Sequence, residues 1–256
     1  MDDQAIRMAV RERYTRAATA GTSCCGDAAS AAGVERTSGT HGGASCCAAQ
    51  PITFLDGRAV PEAIASASLG CGAPIEAAAL RPGETVVDLG SGAGLDVFFA
   101  ADRVGPTGRA IGVDMTPEMI AKARANAASL GATNVDFRLG EIEHLPVVNE
   151  AADAVISNCV INLLPDKRPA FAESFRILRP GGRLIVSDIV STRPLPEEFK
   201  TPERWTACLA GAIPEADYLG IIERAGFTRI EVLERRGYDG ADLFSVTVRA
   251  VKPGRE

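Results

Sequence analysis

The sequence predicts an α/β protein built on a doubly wound, mostly parallel seven-stranded sheet that finishes in an antiparallel C-terminal hairpin. Three observations predict it. From Pro82 onward, strand-like and helix-like segments alternate, the pattern of a parallel sheet covered by helices on both faces. A glycine-rich stretch, GSGAG at 90–94, links the first strand-like segment to the first helix-like one. Two strand-like segments with no helical pattern between them close the chain.

Taken in order, ETVVDLG (84–90) reads as the first strand and LDVFFAADRV (95–104) as a helix. RAIGVDM (109–115) is a strand, and PEMIAKARANAASLG (117–131) a helix stopped by a glycine. VDFRLG (135–140) and AADAVIS (151–157) are strands three and four. KRPAFAESFRILRPGG (167–182) is a helix with a Pro-Gly-Gly stop, and RLIVSD (183–188) the fifth strand. TPERWTACLAG (201–211) and EADYLGIIERAGF (215–227) read as helices, and RIEVLERR (229–236) with FSVTVRAVK (244–252) as the hairpin. Upstream, residues 4–16 form a short polar helix. Residues 17–50 are almost entirely Ala, Gly, Ser, Thr and Cys, too little apolar area to offset ordering entropy, so a mobile loop is expected. The domain reading is therefore 1–50 for the N-terminal helix and cysteine-containing loop and 51–256 for the α/β domain.

Bulk properties exclude some functions. A net charge of −6 over 256 residues argues against a nucleic-acid surface. No apolar run approaches the roughly 18 residues of a membrane span, and the charged N-terminus has no signal-peptide character. A cytoplasmic location is expected, where thiols stay reduced. Seven cysteines there point to metal binding or catalysis before structural disulfides.

VVDLGSGAGLD (86–96) carries the first chemical signal. Gly90, Gly92 and Gly94 let backbone approach a ligand, and the helix start offers N–H groups. The spacing is G-x-G-x-G, not the G-x-G-x-x-G of a dinucleotide site. Asp114 ends the second strand, where a carboxylate can take both hydroxyls of a ribose. This arrangement resembles the S-adenosylmethionine-dependent methyltransferases, whose fold is Rossmann-like. The resemblance implies that Asp88, Gly90, Ser91, Gly92 and Gly94 form the loop around the methionine part. It places Asp114 and Met115 at the ribose and adenine edge, Ile142 and Glu143 of GEIEHLP at the adenine, and Asn158 beside the methionine.

The second signal is the cysteines. Cys159 directly follows the fourth strand, on the side of such sheets where ligands sit. Cys208 follows the fifth strand, Cys71 precedes the domain, and Cys24, Cys25, Cys46 and Cys47 lie in a duplicated SCC on the loop. A lone cysteine is most often a small buried apolar residue. Three separated segments bringing thiols toward one face suggest a site for a soft, thiophilic ion. The histidines, His41 and His144, are poorly placed as a base.

LGCGAP, SNCVINLLPDK and WTACLAGA together resemble the arsenite methyltransferases. The resemblance implies transfer of methyl groups from S-adenosylmethionine to thiolate-bound trivalent arsenic, presented as a thiol conjugate. It implies Cys159 and Cys208 as persistent ligands, Cys71 as third ligand and disulfide partner, and residues 190–215 as contributors to the substrate site. The family's fourth cysteine falls on Cys24 or Cys25 by distance from RERY, or on Cys46 or Cys47 by the PIT that follows. A thiol reductant, thioredoxin or glutathione, would reopen the disulfide. Two departures from the family pattern are Ala207, where some members carry a carboxylate, and the absence after the hairpin of the long extension of animal members. Two rivals stand beside this reading: a methyltransferase of the same fold acting on a quinone or other carbon acceptor, and a non-enzymatic thiol-rich metalloid-binding protein.

Overall fold

Seven strands form one sheet in the order β3-β2-β1-β4-β5-β7-β6 in the computed structural model, which describes residues 2–20, 53–65, 74–237 and 242–255. The strands are β1 (Thr85–Leu89), β2 (Arg109–Asp114), β3 (Val135–Leu139), β4 (Ala152–Asn158), β5 (Leu178–Ser191), β6 (Thr228–Gly237) and β7 (Leu243–Val251). β1 to β5 pair in parallel, and β7 runs antiparallel between β5 and β6. The doubly wound sheet and its closing hairpin are as expected. The helices are α1 (Asp3–Ala20), α2 (Glu62–Ala65), α3 (Pro74–Ala77), α4 (Leu95–Val104), α5 (Pro117–Leu130), α6 (Arg168–Ile177), α7 (Pro202–Thr206) and α8 (Glu215–Arg224).

The central strands are buried on both faces because helices cover both. On one face Phe171 of α6 and Tyr218 and Ile222 of α8 pack on Val87, Val155 and Val186. On the other, Val97, Phe98 and Ala101 of α4 and Ile120 and Ala123 of α5 pack on Val86, Ile156 and Ile185. Fully burying one such aliphatic or aromatic side chain contributes about 1.5–3 kcal/mol. The strand order reverses between β1 and β4, so the crevice beyond their carboxyl ends is the place for a ligand.

Three boundaries differ from the sequence reading. α1 continues through Ala17–Ala20, beyond the expected end at residue 16, because alanine is the strongest helix former. The helix before the fifth strand ends at Ile177, and the Pro-Gly-Gly lies inside an irregular stretch of β5, where the β4 register slips between Ala152 and Ala154. Pro180 disfavours helix at Arg179, and Gly181 adopts φ +80°. The helix expected over 201–211 is only Pro202–Thr206, since Cys208 takes φ +63°, a left-handed conformation that no α-helix accepts.

The expected loop beyond residue 20, with Cys24, Cys25, Cys46 and Cys47, and the segment carrying Cys71 lie outside the described residues. Among the described residues, no helix is long and apolar enough to cross a membrane.

Candidate active site

The glycine loop forms the floor of a cleft beyond β1. Gly90, Gly92 and Gly94 have φ of +66°, +51° and +97°, values that glycine adopts at no steric penalty. Their roles differ. A Cβ on Gly90 would meet Val160 at 2.5 Å, and one on Gly94 would meet Phe137 at 2.7 Å. A Cβ on Gly92 would point into open space within the cleft. Gly90 therefore lets the loop touch the turn after β4, whereas Gly92 keeps the cleft open. Ser91 turns inward toward β2, close to the backbone of Gly112.

Asp114 at the end of β2 clamps the loop from the side. Its Oδ2 accepts from Gly92 N–H at 2.9 Å, and its Oδ1 accepts from Thr116 N–H at 2.8 Å at the start of α5. Each carboxylate oxygen keeps a further lone pair for a hydroxyl donor. Asp88 and Asp96 face the same cleft. Burial raises all three above the ordinary carboxylate value. For Asp88 the neighbouring charges of Asp96 and Asp114 add to the rise; for Asp96 a hydrogen bond from Asn158 Nδ2 at 3.1 Å opposes it. Burial, and for Asp88 the neighbouring negative charges, disfavour ionised carboxylates here, and a cationic ligand in the cleft would offset that cost.

The remaining wall comes from Met115, Ile142 and Glu143, and from a part of the chain not assigned to the site from sequence. α1 lies over the cleft on α5, α7 and the 3-10 turn Ile161–Leu163. Ile6, Val10 and Tyr14, spaced at four residues, form its packed stripe. Arg7 Nη1 lies 2.6 Å from the buried Glu143 carboxylate, and Thr15 bonds Glu118 at 3.3 Å. The helix expected to be polar is thus tied to the site by one apolar stripe and the Arg7–Glu143 pair, and to α5 by Thr15.

The turn after β4 carries Cys159, which lines the same cleft. Its N–H donates to Ser187 O at 2.8 Å, extending the β4–β5 pairing by one bond. Cys208, in the turn after α7, donates its thiol to the Cys159 carbonyl at 3.0 Å across a sequence separation of 49. Both are buried, in an apolar cluster with Val10, Leu163, Ile189 and Leu209. Both have left-handed backbones, φ +58° and +63°, a conformation that disfavours residues with a Cβ by about 1–2 kcal/mol. Such conformations persist only where surrounding structure holds them, and they cluster at functional sites. Leu195, Phe199 and Trp205, from the segment after β5, pack against this cluster.

Behind the pair is a buried polar group. Tyr218 donates to Asp188 at 2.7 Å, and Lys167 Nζ donates to Leu164 O at 3.1 Å. Burial pushes Asp188 up to about 7, opposed by the Tyr218 bond and the Lys167 charge. Burial lowers Lys167 to about 8, opposed by Asp188, Asp166 and Cys208.

Asp88, Gly90, Ser91, Gly92, Asp114, Met115, Ile142, Glu143, Asn158 and Cys159 all line one cleft, and Cys208 joins Cys159 beside it. Gly94 sits just behind, turning the chain into α4. Among the described residues no group of three metal-ligating side chains is assembled. His144 is exposed. Arg7, Tyr14, Asp96, Thr116 and Leu163 were not singled out from sequence. Asp96 follows the glycine loop in the quoted motif, and Tyr14 ends RERY, so both had a local signal. The Gly92 opening, the acidic residues and the Asp114 carboxylate are groups that could hold a cationic nucleoside.

Comparison with known proteins gives the family. Residues 80–226 match the family described as a methyltransferase domain. The arsenite methyltransferase of Halobacterium salinarum is 44% identical over 276 aligned residues, covering 100% of this chain and 68% of that protein. The arsenite methyltransferase of Aquipseudomonas alcaligenes is 42% identical over 173 residues, covering 64% of this chain and 49% of that protein. Among solved structures, the arsenic(III) S-adenosylmethionine methyltransferase of Chlamydomonas reinhardtii superposes with a TM-score of 0.68 at 35% identity, covering 76% of this chain and 71% of that one.

Proposed function

This chain belongs to the arsenite methyltransferase family, within the S-adenosylmethionine-dependent methyltransferases, and on that premise we propose how its residues share the work. One observation carries the reading: Cys159 lines the glycine-loop cleft, and the buried Cys208 lies beside it, its thiol 3.0 Å from the Cys159 carbonyl oxygen. Thiolates are the preferred ligands of soft ions. Cys159 and Cys208 hold trivalent arsenic, with Cys71 as the third ligand. Each thiol proton leaves with a displaced hydroxide as water, or with the departing thiolate of an incoming conjugate.

S-adenosylmethionine supplies, when bound, an electrophilic methyl on a sulfonium. Asp88, Asp96 and Asp114 would hold that cationic molecule, Gly92 and Asn158 would border its methionine end, and Ile142 with Glu143 its base. With that methyl donor bound, arsenic held by Cys159 and Cys208 would accept the methyl, an As–C bond replacing the S–C bond and arsenic being formally oxidised from the trivalent to the pentavalent state. No proton moves in this step, so no general base is required. Orientation and exclusion of water are the protein's contribution. The apolar cluster around the cysteines and α1 over the cleft supply both.

A further cycle needs two electrons. Closure of a disulfide between Cys71 and one of Cys24, Cys25, Cys46 or Cys47 supplies them, and thioredoxin or glutathione restores the thiols. That chemistry belongs in the reducing cytoplasm. The test is direct. Purified protein incubated with arsenite, thiol and S-adenosylmethionine should yield methylated arsenic, identified by chromatography and mass. Full turnover after serine replacement of both Cys159 and Cys208 would defeat the assignment and favour a carbon acceptor.

A further inference from the structure

We propose that Asn162 is a positioning residue for the thiol pair: it fastens the Cys208 segment to the turn that carries Cys159 and presets the spacing at which two thiolates take one metalloid. The inference rests on the reading of Cys159 and Cys208 as arsenic ligands and deepens it.

Asn162 sits in the middle of the 3-10 turn Ile161–Leu163 and is fully buried. Its side-chain amide donates to two carbonyls from different segments, Ile189 O at 2.5 Å at the end of β5 and Cys208 O at 3.3 Å. Its carbonyl faces Gly211 so closely that a Cβ there would stand 1.8 Å from the oxygen. One residue is thus held against β5, against the Cys208 carbonyl and against the backbone three residues beyond it.

A second, independent tie runs in parallel. Trp205, in the last turn of α7, donates its indole N–H to Leu163 O at 3.0 Å. The Cys208 thiol bond to Cys159 O closes the circuit. These ties explain how two non-glycine residues are kept at positive φ, where the backbone would otherwise relax. The Asn162 Oδ1 is buried without a hydrogen-bond partner among the described residues.

The experiment uses the full chain with serine at Cys24, Cys25, Cys46, Cys47 and Cys71, so that Cys159 and Cys208 are the remaining thiols. The probe is methylarsenite, which exchanges two hydroxides for two thiolates. Bound arsenic is read by equilibrium dialysis and elemental mass spectrometry, and S-adenosylmethionine affinity by calorimetry on the same samples. Asn162→Asp, which replaces the donor with an acceptor, should raise the methylarsenite Kd about 10-fold while S-adenosylmethionine binding stays within about 2-fold. Trp205→Phe should raise it about 3-fold. A purely structural role would lower the melting temperature and leave both affinities of the folded protein unchanged. Parent-like methylarsenite affinity in both variants overturns the proposal. If Asn162→Asp no longer binds S-adenosylmethionine, Trp205→Phe decides: weakened binding supports the proposal and parent-like binding overturns it. Cys208→Ser in the same background separates the two levels. If it binds methylarsenite like the parent, the ligand reading fails; if it loses binding while both other variants retain it, only the positioning role fails.

Discussion

The cofactor half and the thiol half of the cleft solve the same problem, a sharp turn at the end of a central strand, in opposite ways. Beyond β1 the chain turns through three glycines at positive φ, and the chemistry is left to carboxylates brought in from either side. Beyond β4 and α7 it turns through cysteines at positive φ, so the strained residue is itself the proposed ligand. The first site is inexpensive in backbone terms and costly in charge. The second carries little charge and stores strain. The difference teaches where each half is vulnerable: the glycine side to any added side chain, the cysteine side to loss of the contacts that hold it.

The largest test crosses the two halves. Gly92→Val places a branched side chain into the open cleft and should weaken S-adenosylmethionine binding by about 100-fold or more, while metalloid binding at Cys159 and Cys208 survives. Cys208→Ser should do the reverse, with methylation reduced to background and cofactor affinity intact. Calorimetry for the cofactor and dialysis for arsenic read both. Loss of both ligands in either variant would show that the halves are not separable.

A middle-sized effect sharpens the charge side. Burial holds Asp88 above its ordinary 3.8. Its contribution to stability is therefore fully present below pH 3.8 and is lost as pH rises through the raised value. Asp88→Asn removes that loss. Without cofactor the variant should melt about 2–4 °C higher than the parent near neutral pH, with the gap closing as pH falls toward the ordinary carboxylate value. Its S-adenosylmethionine affinity should fall about 10-fold. A gap that stays constant with pH would mean that Asp88 does not titrate as described.

The smallest effect concerns α1. The Arg7 side chain is 45% exposed, and its pair with Glu143 is screened by water and salt. Arg7→Ala should weaken S-adenosylmethionine binding only about 2–5-fold, and less in high salt. A much larger loss, seen by calorimetry, would make α1 part of the binding machinery and not its cover.

Much of the cofactor half was legible in the sequence, because it is local. Strand, glycine loop, helix, strand and terminal Asp114 follow each other within one stretch, and period and turn chemistry report them directly. The switch point then places Cys159 on the ligand side by topology alone. What could not be read is long-range. The spacing of Ile6, Val10 and Tyr14 says that α1 has an apolar stripe, but not that the stripe lies over the cleft. Asn162 stands in VINLL, an apolar run whose pattern signals packing, and the sequence holds no mark that its amide bonds Cys208 O at a separation of 46. The length of the helix carrying Cys208 was overestimated for the same reason, since the left-handed turn there is imposed by contacts with the Cys159 turn. Local periodicity reflects which face of an element is apolar. Which elements meet, and which buried polar groups then pair, follows from packing the whole chain against the sheet.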